Sequence, residues 1–482
     1  MTAGGTRLAA ACEPRASAHP GMSGVVPITD GRDAFAARAL LADAAERTLD
    51  VQYYIWHNDR SGTLLLDALR RAADRGVYVR LLLDDNNTTG FDDILAALDT
   101  HPRIEVRLFN SFRHRRARWV DYLTDFARLN RRMHNKSFTA DGQATIVGGR
   151  NVGDEYFGAG HDVLFVDLDV LAIGPVVNDV SRDFERYWTS ESAHPVSRVL
   201  PAARAESIER VSAAAAQVER DPASVAYLAA LATQPFVRAL LEGTLTLEWT
   251  PTIMVSDDPA KALGRASDDA LVWTRLKQLM GSPLSELQLI SPYLVPGNVG
   301  RGYFAALAKR GVKVTMLTNS LEATDVALVH AGYARHRKPL LASGINLFEL
   351  KRMSSAPSGR RRTFTTKGSS GSSSSSLHAK TFAIDRARVF VGSFNFDPRS
   401  ARLNTELGFV MDSPVLAQAI ADAFAERIPQ RAYGVHLSDA ARLQWIESID
   451  GGDVVYDREP GTRFGQRLAV AAMSLLPIEW LL

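Results

Sequence analysis

The order of apolar and polar positions along the chain repeats. Residues 49–56 (LDVQYYIW) are a short, almost continuous apolar run rich in β-branched and aromatic residues, the pattern of a strand buried on both faces. Residues 64–74 place apolar side chains at helical spacing, and residues 76–85 (GVYVRLLLDD) return to a strand. The second half runs through the same succession: LQLISPYLVP at 287–296, a helical stretch ending at Arg310, then GVKVTMLTNS at 311–320. Strand, helix and strand joined by short turns make a βαβ unit. Two such units in corresponding places predict two similar α/β domains, each a mixed sheet flanked by helices.

Each half then reaches an alternating segment with a tight turn, residues 133–151 and 377–395. Asp141-Gly142 and Asp385-Arg386 mark the turns, so both segments are expected to be β-hairpins. The pattern divides the chain into an extension over 1–30 without regular structure, a first domain over 31–190 and a helical connection over 191–247. A second domain follows over 248–440, and then a tail over 441–482. Residues 354–376, with Arg360, Arg361 and Arg362 before a Ser/Gly run, read as a low-complexity loop set just ahead of the second hairpin.

Composition narrows the classes little. Of 482 residues 46% are hydrophobic and 23% charged, and 56 basic against 54 acidic residues leave a net charge of +2. There is thus no global basic field of the kind that drives nucleic-acid binding through phosphate neutralisation. One cysteine, Cys12, rules out an intrachain disulfide and a cysteine-rich zinc site. It follows Leu8-Ala9-Ala10-Ala11, a faint likeness to a lipoprotein cleavage site, but the apolar run is short and the plainer expectation is an irregular N-terminus. No stretch approaches the ~20 apolar residues that span a bilayer. The nearest is 464–482, interrupted by Pro477, which reads equally as a helix lying on a membrane surface or as a terminal helix packed on the core. Residues 112–133 interleave Arg113, Arg115, Arg116, Arg118, Arg131 and Arg132 with Phe112, Trp119, Tyr122 and Phe126. That mixture suits anionic headgroups, single-stranded nucleic acid or a solvated helix with an aromatic underside.

The chemistry sits in the hairpins. His134, Lys136 and Asp141 recur as His378, Lys380 and Asp385, all offset by 244, and Asn151 at the end of GGRN recurs at the same offset as Asn395 at the end of GSFN. A lone His-x-Lys is weak, whereas two copies in register inside the same predicted hairpin are not accidental. Residues i and i+2 of a strand share a face, so each histidine projects with its lysine. Glycines 148, 149 and 392 are expected to let backbone approach a bulky anion. Two halves face to face would gather two imidazoles, two ammonium groups and two amides. That set suits a phosphodiester, with one neutral histidine attacking phosphorus and the other protonating the leaving oxygen. A nucleophilic histidine needs an acceptor on its other ring nitrogen. Asp167 and Glu406 are the candidates, with Asp169 as an alternative to Asp167. Asp141 and Asp385 stand at the turns, where a salt bridge or turn cap is favoured over contact with phosphate. An ammonium beside each histidine repels a cation, so no metal or other cofactor is expected. Asp84-Asp85 reads as a helix cap rather than a metal site.

Paired HxKxxxxD motifs followed by GGRN and GSFN resemble the phospholipase D superfamily. VQYYIW, LLLDDNN, LNRRMHNKSFT, VGGRNVGDEYF, LTNSLEATDVALVHAGYARHRK and GSFNFDPRS are similar to bacterial cardiolipin synthases of the C type, from about Phe35 to the final PIEWLL. The resemblance implies a phosphohistidine mechanism. His134 would be the nucleophile and His378 the acid/base, with Lys136, Asp141, Lys380 and Asp385 completing the catalytic set and Asn151 and Asn395 binding phosphate. It implies transfer of a phosphatidyl group from phosphatidylethanolamine to phosphatidylglycerol, with phospholipids and a membrane surface as partners and no nucleic acid. The implied location is the cytoplasmic side of the bacterial inner membrane. A phospholipid hydrolase and a nucleic-acid phosphodiesterase use the same residues and stay open as alternatives.

Overall fold

The structure, a computed structural model, describes residues 5–159, 165–203, 207–354, 374–449 and 452–476. In chain order the first half contributes β1 (Ser23–Ile28), β2 (Thr48–Tyr53), β3 (Tyr78–Asp84), β4 (Ile104–Phe109), β5 (Ser137–Ala140) and β6 (Ala144–Gly148). It continues with β7 (Phe165–Val166), β8 (Asp169–Ile173), β9 (Ala193–Pro195) and β10 (Glu248–Thr250). The second half contributes β11 (Thr252–Ser256), β12 (Glu286–Ile290), β13 (Lys313–Asn319), β14 (Asn346–Leu350), β15 (Met353–Ser354) and β16 (Ser374–Leu377). It ends with β17 (Thr381–Ile384), β18 (Arg388–Gly392), β19 (Leu407–Met411), β20 (Ala432–Leu437), β21 (Leu443–Ile449) and β22 (Gly452–Tyr456).

Two large mixed sheets result, ordered β10-β1-β8-β6-β5-β2-β3-β4-β9 and β11-β19-β18-β17-β12-β13-β14-β20-β21-β22. Eight strands of one match eight of the other position by position, from β1/β11 to β9/β20. In each sheet the two βαβ strands pair in parallel and the hairpin joins them antiparallel. The central strands β2 and β3 are covered on both faces, which is why they read as near-continuous apolar runs.

Alternation along the hairpin strands distributes side chains between cores. Ile146 and Phe138 enter a core with helices Gly31–Ala44 and Arg60–Asp74 on the outer face of the first sheet. Phe382 and Phe390 enter the matching core of the second half beside Phe304 and Tyr333. The intervening residues Val147 and Val170 on one side, and Val389, Val391 and Phe409 on the other, meet in a third core between the two sheets. The halves therefore pack face to face through their hairpin strands. The chain crosses between sheets at Pro251, with β10 on the edge of one and β11 on the edge of the other.

The expected organisation shifts in two places. Residues 1–30 are not irregular where described: helix Arg7–Ser17 is capped by the Thr6 hydroxyl, and β1 is an internal strand of the first sheet. Alanine-rich spacing hid that helix behind a likeness to a leader. Cys12 faces the first core, where burial pushes its thiol up to about 11. The second sheet continues past 440 into β21 and β22, strands whose mixed burial weakened their signal. Residues 191–247 hold helices Ser207–Arg220, Pro222–Ala232 and Pro235–Leu241, with Val211, Tyr227 and Leu231 in the first core. Of the tail, helix Phe464–Ser474 seats Val470 against helix Ala327–Ala342 and leaves Phe464 and Leu468 exposed. The final residues 477–482 and most of the 354–376 loop lie outside the described residues. Among the described residues no helix is long and apolar enough to cross a membrane.

Candidate active site

The two hairpins bring His134 and His378 to the seam between the halves, and strand-like contacts across the seam hold them. His134 N–H donates to the Thr405 carbonyl at 2.9 Å, and Thr405 N–H donates to Arg132 O at 2.9 Å. On the other side β7 pairs with β16 in parallel, Val166 opposite Leu377. Each histidine strand thus lies beside the strand that carries the other half's carboxylate. His134 Nδ1 is 2.8 Å from Glu406 Oε2, and His378 Nδ1 is 2.5 Å from Asp167 Oδ2. The dyads are crossed: neither half completes its own.

This geometry decides between the two aspartates. In the sheets Gly148 pairs with Asp169 and Gly392 with Gly408, so Asp169 corresponds to Gly408 and Asp167 to Glu406. Asp169 is instead buried against Arg38, 2.8 Å from Nη2, where it ties helix Gly31–Ala44 to the sheet. Contrary to the expectation from sequence, the glycines before Asn151 and Asn395 do not make room for an anion. A Cβ at Gly148 would strike Asp169, at Gly149 the Asp167 carboxylate, and at Gly392 the Leu407 carbonyl. Their absent side chains let the carboxylate strands close up.

The lysines flank the histidines. Lys136 Nζ donates to its own histidine's carbonyl, His134 O, at 2.6 Å, and Lys380 Nζ donates likewise to His378 O. An ammonium has three N–H groups, so each keeps donors beyond that bond. Burial, together with Lys380, drives Lys136 well below the usual lysine range; Glu406 and Asp167 oppose the shift. Burial lowers Lys380 to about 8, opposed by Asp167 and Glu406. Burial also lowers both imidazoles, His134 strongly and His378 to about 4, and the two ammonium groups reinforce it. The carboxylates diverge. Burial pushes Glu406 up to about 7 against Lys136 and the Ser393 hydroxyl. For Asp167 burial is outweighed by His378 and Lys380, and its carboxyl stays below the usual range.

Asp141 and Asp385 do not join this cluster. They sit at the far ends of their hairpins, some seven residues from the histidines, about 23 Å at 3.3 Å per residue. Asp141 accepts from the amides of Glu46, Arg47 and Thr48, and Asp385 from those of Leu284, Ser285 and Glu286. Each caps the turn entering the neighbouring strand β2 or β12. Asn151 accepts from Ile55 N–H and donates to the Tyr156 hydroxyl, both at 3.2 Å, and so fixes the adjoining loops. Asn395 is buried, and its side-chain oxygen has no partner among the described residues. Asp84 takes the hydrogen-bonding role expected of it. It binds Arg132 at 3.0 Å and the Met133 amide at 2.8 Å, while Asn319, its counterpart, brackets Leu377. Both residues that precede the histidines are held this way. Among the described residues no cluster of three His, Cys, Asp or Glu has the arrangement of a metal site.

Sequence reading missed the aromatic walls. Tyr54 lies edge-on to His134 at 4.9 Å and Tyr156 edge-on to His378 at 5.2 Å. The doubled tyrosine of VQYYIW is an ordinary strand pattern, so nothing in it marks Tyr54. Ser393 was passed over for the same reason, although its hydroxyl donates to Glu406.

Comparison with known proteins places the chain in a family. A family model described as "Cardiolipin synthase, PLD-like domain" matches residues 39–188 and 276–428. The chain is 52% identical over 476 residues to cardiolipin synthase C of Escherichia coli, covering 99% of this chain and all of that one. It is 32% identical to an uncharacterised Helicobacter pylori protein over 95% of this chain and 89% of the relative. In three dimensions the phosphatidylserine synthase of Haemophilus influenzae aligns over 99% of this chain and 100% of its own, with a TM-score of 0.59 at 12% identity, a likeness of fold. With the duplicated motif on duplicated sheets and a full-length relative at that identity, the chain belongs to the cardiolipin synthase family of phospholipase D-like proteins.

Proposed function

We propose that the protein is a cardiolipin synthase that moves a phosphatidyl group from phosphatidylethanolamine to phosphatidylglycerol through a phosphohistidine. The observation that carries the mechanism is the pair of crossed dyads. Each histidine has a carboxylate on Nδ1, which fixes the tautomer and presents Nε2 to substrate. His134, kept neutral by burial and the nearby ammonium groups, is suited to attack phosphorus. His378 rests on the more acidic partner, Asp167, which stabilises the imidazolium that an acid/base must form.

In the first step Nε2 of His134 forms a bond to phosphorus as the bond to the ethanolamine oxygen breaks, and His378 delivers the proton to that oxygen. The anionic phosphodiester supplies the charge that raises His378's proton affinity when substrate binds. In the second step His378 takes the proton of a phosphatidylglycerol hydroxyl, whose oxygen displaces His134 from phosphorus. Lys136 and Lys380 offset charge on the non-bridging oxygens, and we assign the amide of Asn395 as a further donor to them. Asp141 and Asp385 act through the fold by capping strand entries. Phospholipid substrates put the protein at a membrane surface, and we assign it to the cytoplasmic side of the inner membrane.

The test is product analysis. Purified protein with vesicles of phosphatidylethanolamine and phosphatidylglycerol, in chelator, should yield cardiolipin and ethanolamine, and His134→Ala should yield neither. Phosphatidic acid as sole product would make it a hydrolase.

A further inference from the structure

The segment that sequence reading left between three uses resolves into a built surface feature. Residues 112–130 form a finger at the end of β4: a turn of 3-10 helix Arg115–Ala117, helix Arg118–Thr124 and the turn Phe126–Leu129. Most of its arginines face inward. Arg115 binds Asp85 and Asp92, Arg118 lies over the Phe112 ring at 4.9 Å, Arg128 pairs with Asp125 at 2.6 Å, and Arg132 is buried on Asp84. The outer face is the reverse of an ordinary surface helix. Trp119 is 66% exposed and Leu123 76%, one helical turn apart, with Phe126 at 42% beside them. Arg113 and Arg116, just ahead of the helix in the chain, are exposed as well.

The finger is rooted in the active-site wall. Tyr122 donates its hydroxyl to Asn86 at 2.6 Å, neighbouring Asn87 donates to the Tyr54 carbonyl at 3.4 Å, and Tyr54 packs on His134. We propose that Trp119, Leu123 and Phe126, with Arg113 and Arg116, form an interfacial docking finger that inserts into an anionic phospholipid surface beside the site. The proposal rests on the lipid-substrate reading above and names the surface that reading requires. Charge complementarity selects the occupant. Exposed tryptophan and aliphatic side chains rimmed by arginine match an acyl boundary beneath anionic headgroups. A single-strand nucleic-acid groove would need a run of outward cations along a stack of rings. Here four of the seven arginines of residues 112–133 are spent holding the finger together.

The experiment is flotation of the full chain with vesicles of phosphatidylglycerol and phosphatidylcholine, and of phosphatidylcholine alone, in about 0.15 M salt. Trp119→Ser/Leu123→Ser/Phe126→Ser should lower the fraction bound to the mixed vesicles at least tenfold, at an unchanged thermal unfolding midpoint. Arg113→Glu/Arg116→Glu should lose the preference for phosphatidylglycerol. The ratio of turnover on vesicles to turnover on monomeric dihexanoyl phosphatidylethanolamine should also fall tenfold in the triple variant. Wild-type flotation of the triple variant overturns the proposal, as does a finger that binds single-stranded DNA in preference to vesicles. Finger-dependent flotation of a protein that makes no cardiolipin would sink the synthase reading and keep the finger. Cardiolipin formation that ignores the finger would do the opposite.

Discussion

Replacing Asp385, the last residue of the second motif, should cost stability and leave the chemistry almost untouched. Its carboxylate accepts from the amides of Leu284 at 2.9 Å, Ser285 at 2.7 Å and Glu286 at 2.9 Å, and from the Ser285 hydroxyl at 2.8 Å. The site is largely open to water, so each backbone bond is worth about 0.5–1 kcal/mol, and the three together about 1.5–3 kcal/mol. Asp385→Ala should therefore lower the unfolding free energy of the second half by that amount in denaturant titration, and Asp385→Asn, which keeps an acceptor, by about half. The three amides outweigh burial and hold the Asp385 carboxyl below its ordinary value. A depressed carboxyl stabilises the fold above its unfolded pKa of ~3.9 and loses that contribution as pH falls below it, so the difference from wild type should shrink toward pH 3. Turnover of the folded variant should stay within about threefold of wild type. Asp141→Ala should likewise cost stability and spare turnover, and because the two turns lie in different sheets the double variant should be additive. A hundredfold loss of turnover at unchanged stability would place Asp385 in the chemistry and refute the capping assignment.

Other outcomes follow from the dyads. Asp167→Asn removes a charge-assisted bond worth about 1.5–3 kcal/mol and should lower kcat some 10- to 150-fold. Glu406→Gln should cost under tenfold, since burial already pushes Glu406 up to about 7, leaving it partly protonated at neutral pH; steady-state kinetics on short-chain lipid checks both. Gly149→Ala drives a methyl into the Asp167 carboxylate, so it should lower kcat by at least tenfold and cost about 1–3 kcal/mol of stability, read by kinetics and calorimetry. The kcat/KM profile should keep its activity well below pH 6.5, because burial keeps the His134 nucleophile neutral there. It should fall near pH 8 as Lys380 loses its proton; an alkaline limb above pH 10 would remove Lys380 from phosphate binding.

The βαβ repeats were legible because β2, β3, β12 and β13 are central and covered on both faces, which writes them as apolar runs. Peripheral pieces were not. β1 carries a proline, β22 is half exposed, and helix Arg7–Ser17 is an alanine-rich stretch whose partner is tertiary. The histidines and lysines were marked by a constant offset of 244 and the carboxylates by a slip to 239. That slip is five residues fewer between β18 and β19 than between β6 and β8. That the dyads cross could not be read, because a pairing across two folded halves leaves no local spacing. The aromatic walls were silent for the same reason, since Tyr54 and Tyr156 earn their place by proximity in space.

The central claim is a covalent bond from His134 to phosphorus that His378 helps to form and break. A phosphatidyl p-nitrophenyl ester, whose leaving group needs no proton, isolates the first step. His378→Ala mixed with this ester should release about one equivalent of p-nitrophenolate in a burst. Intact and peptide mass spectrometry under alkaline quench should then find the phosphatidyl group on His134. No burst and no adduct from a folded His378→Ala protein, or an adduct on any other residue, would contradict the account.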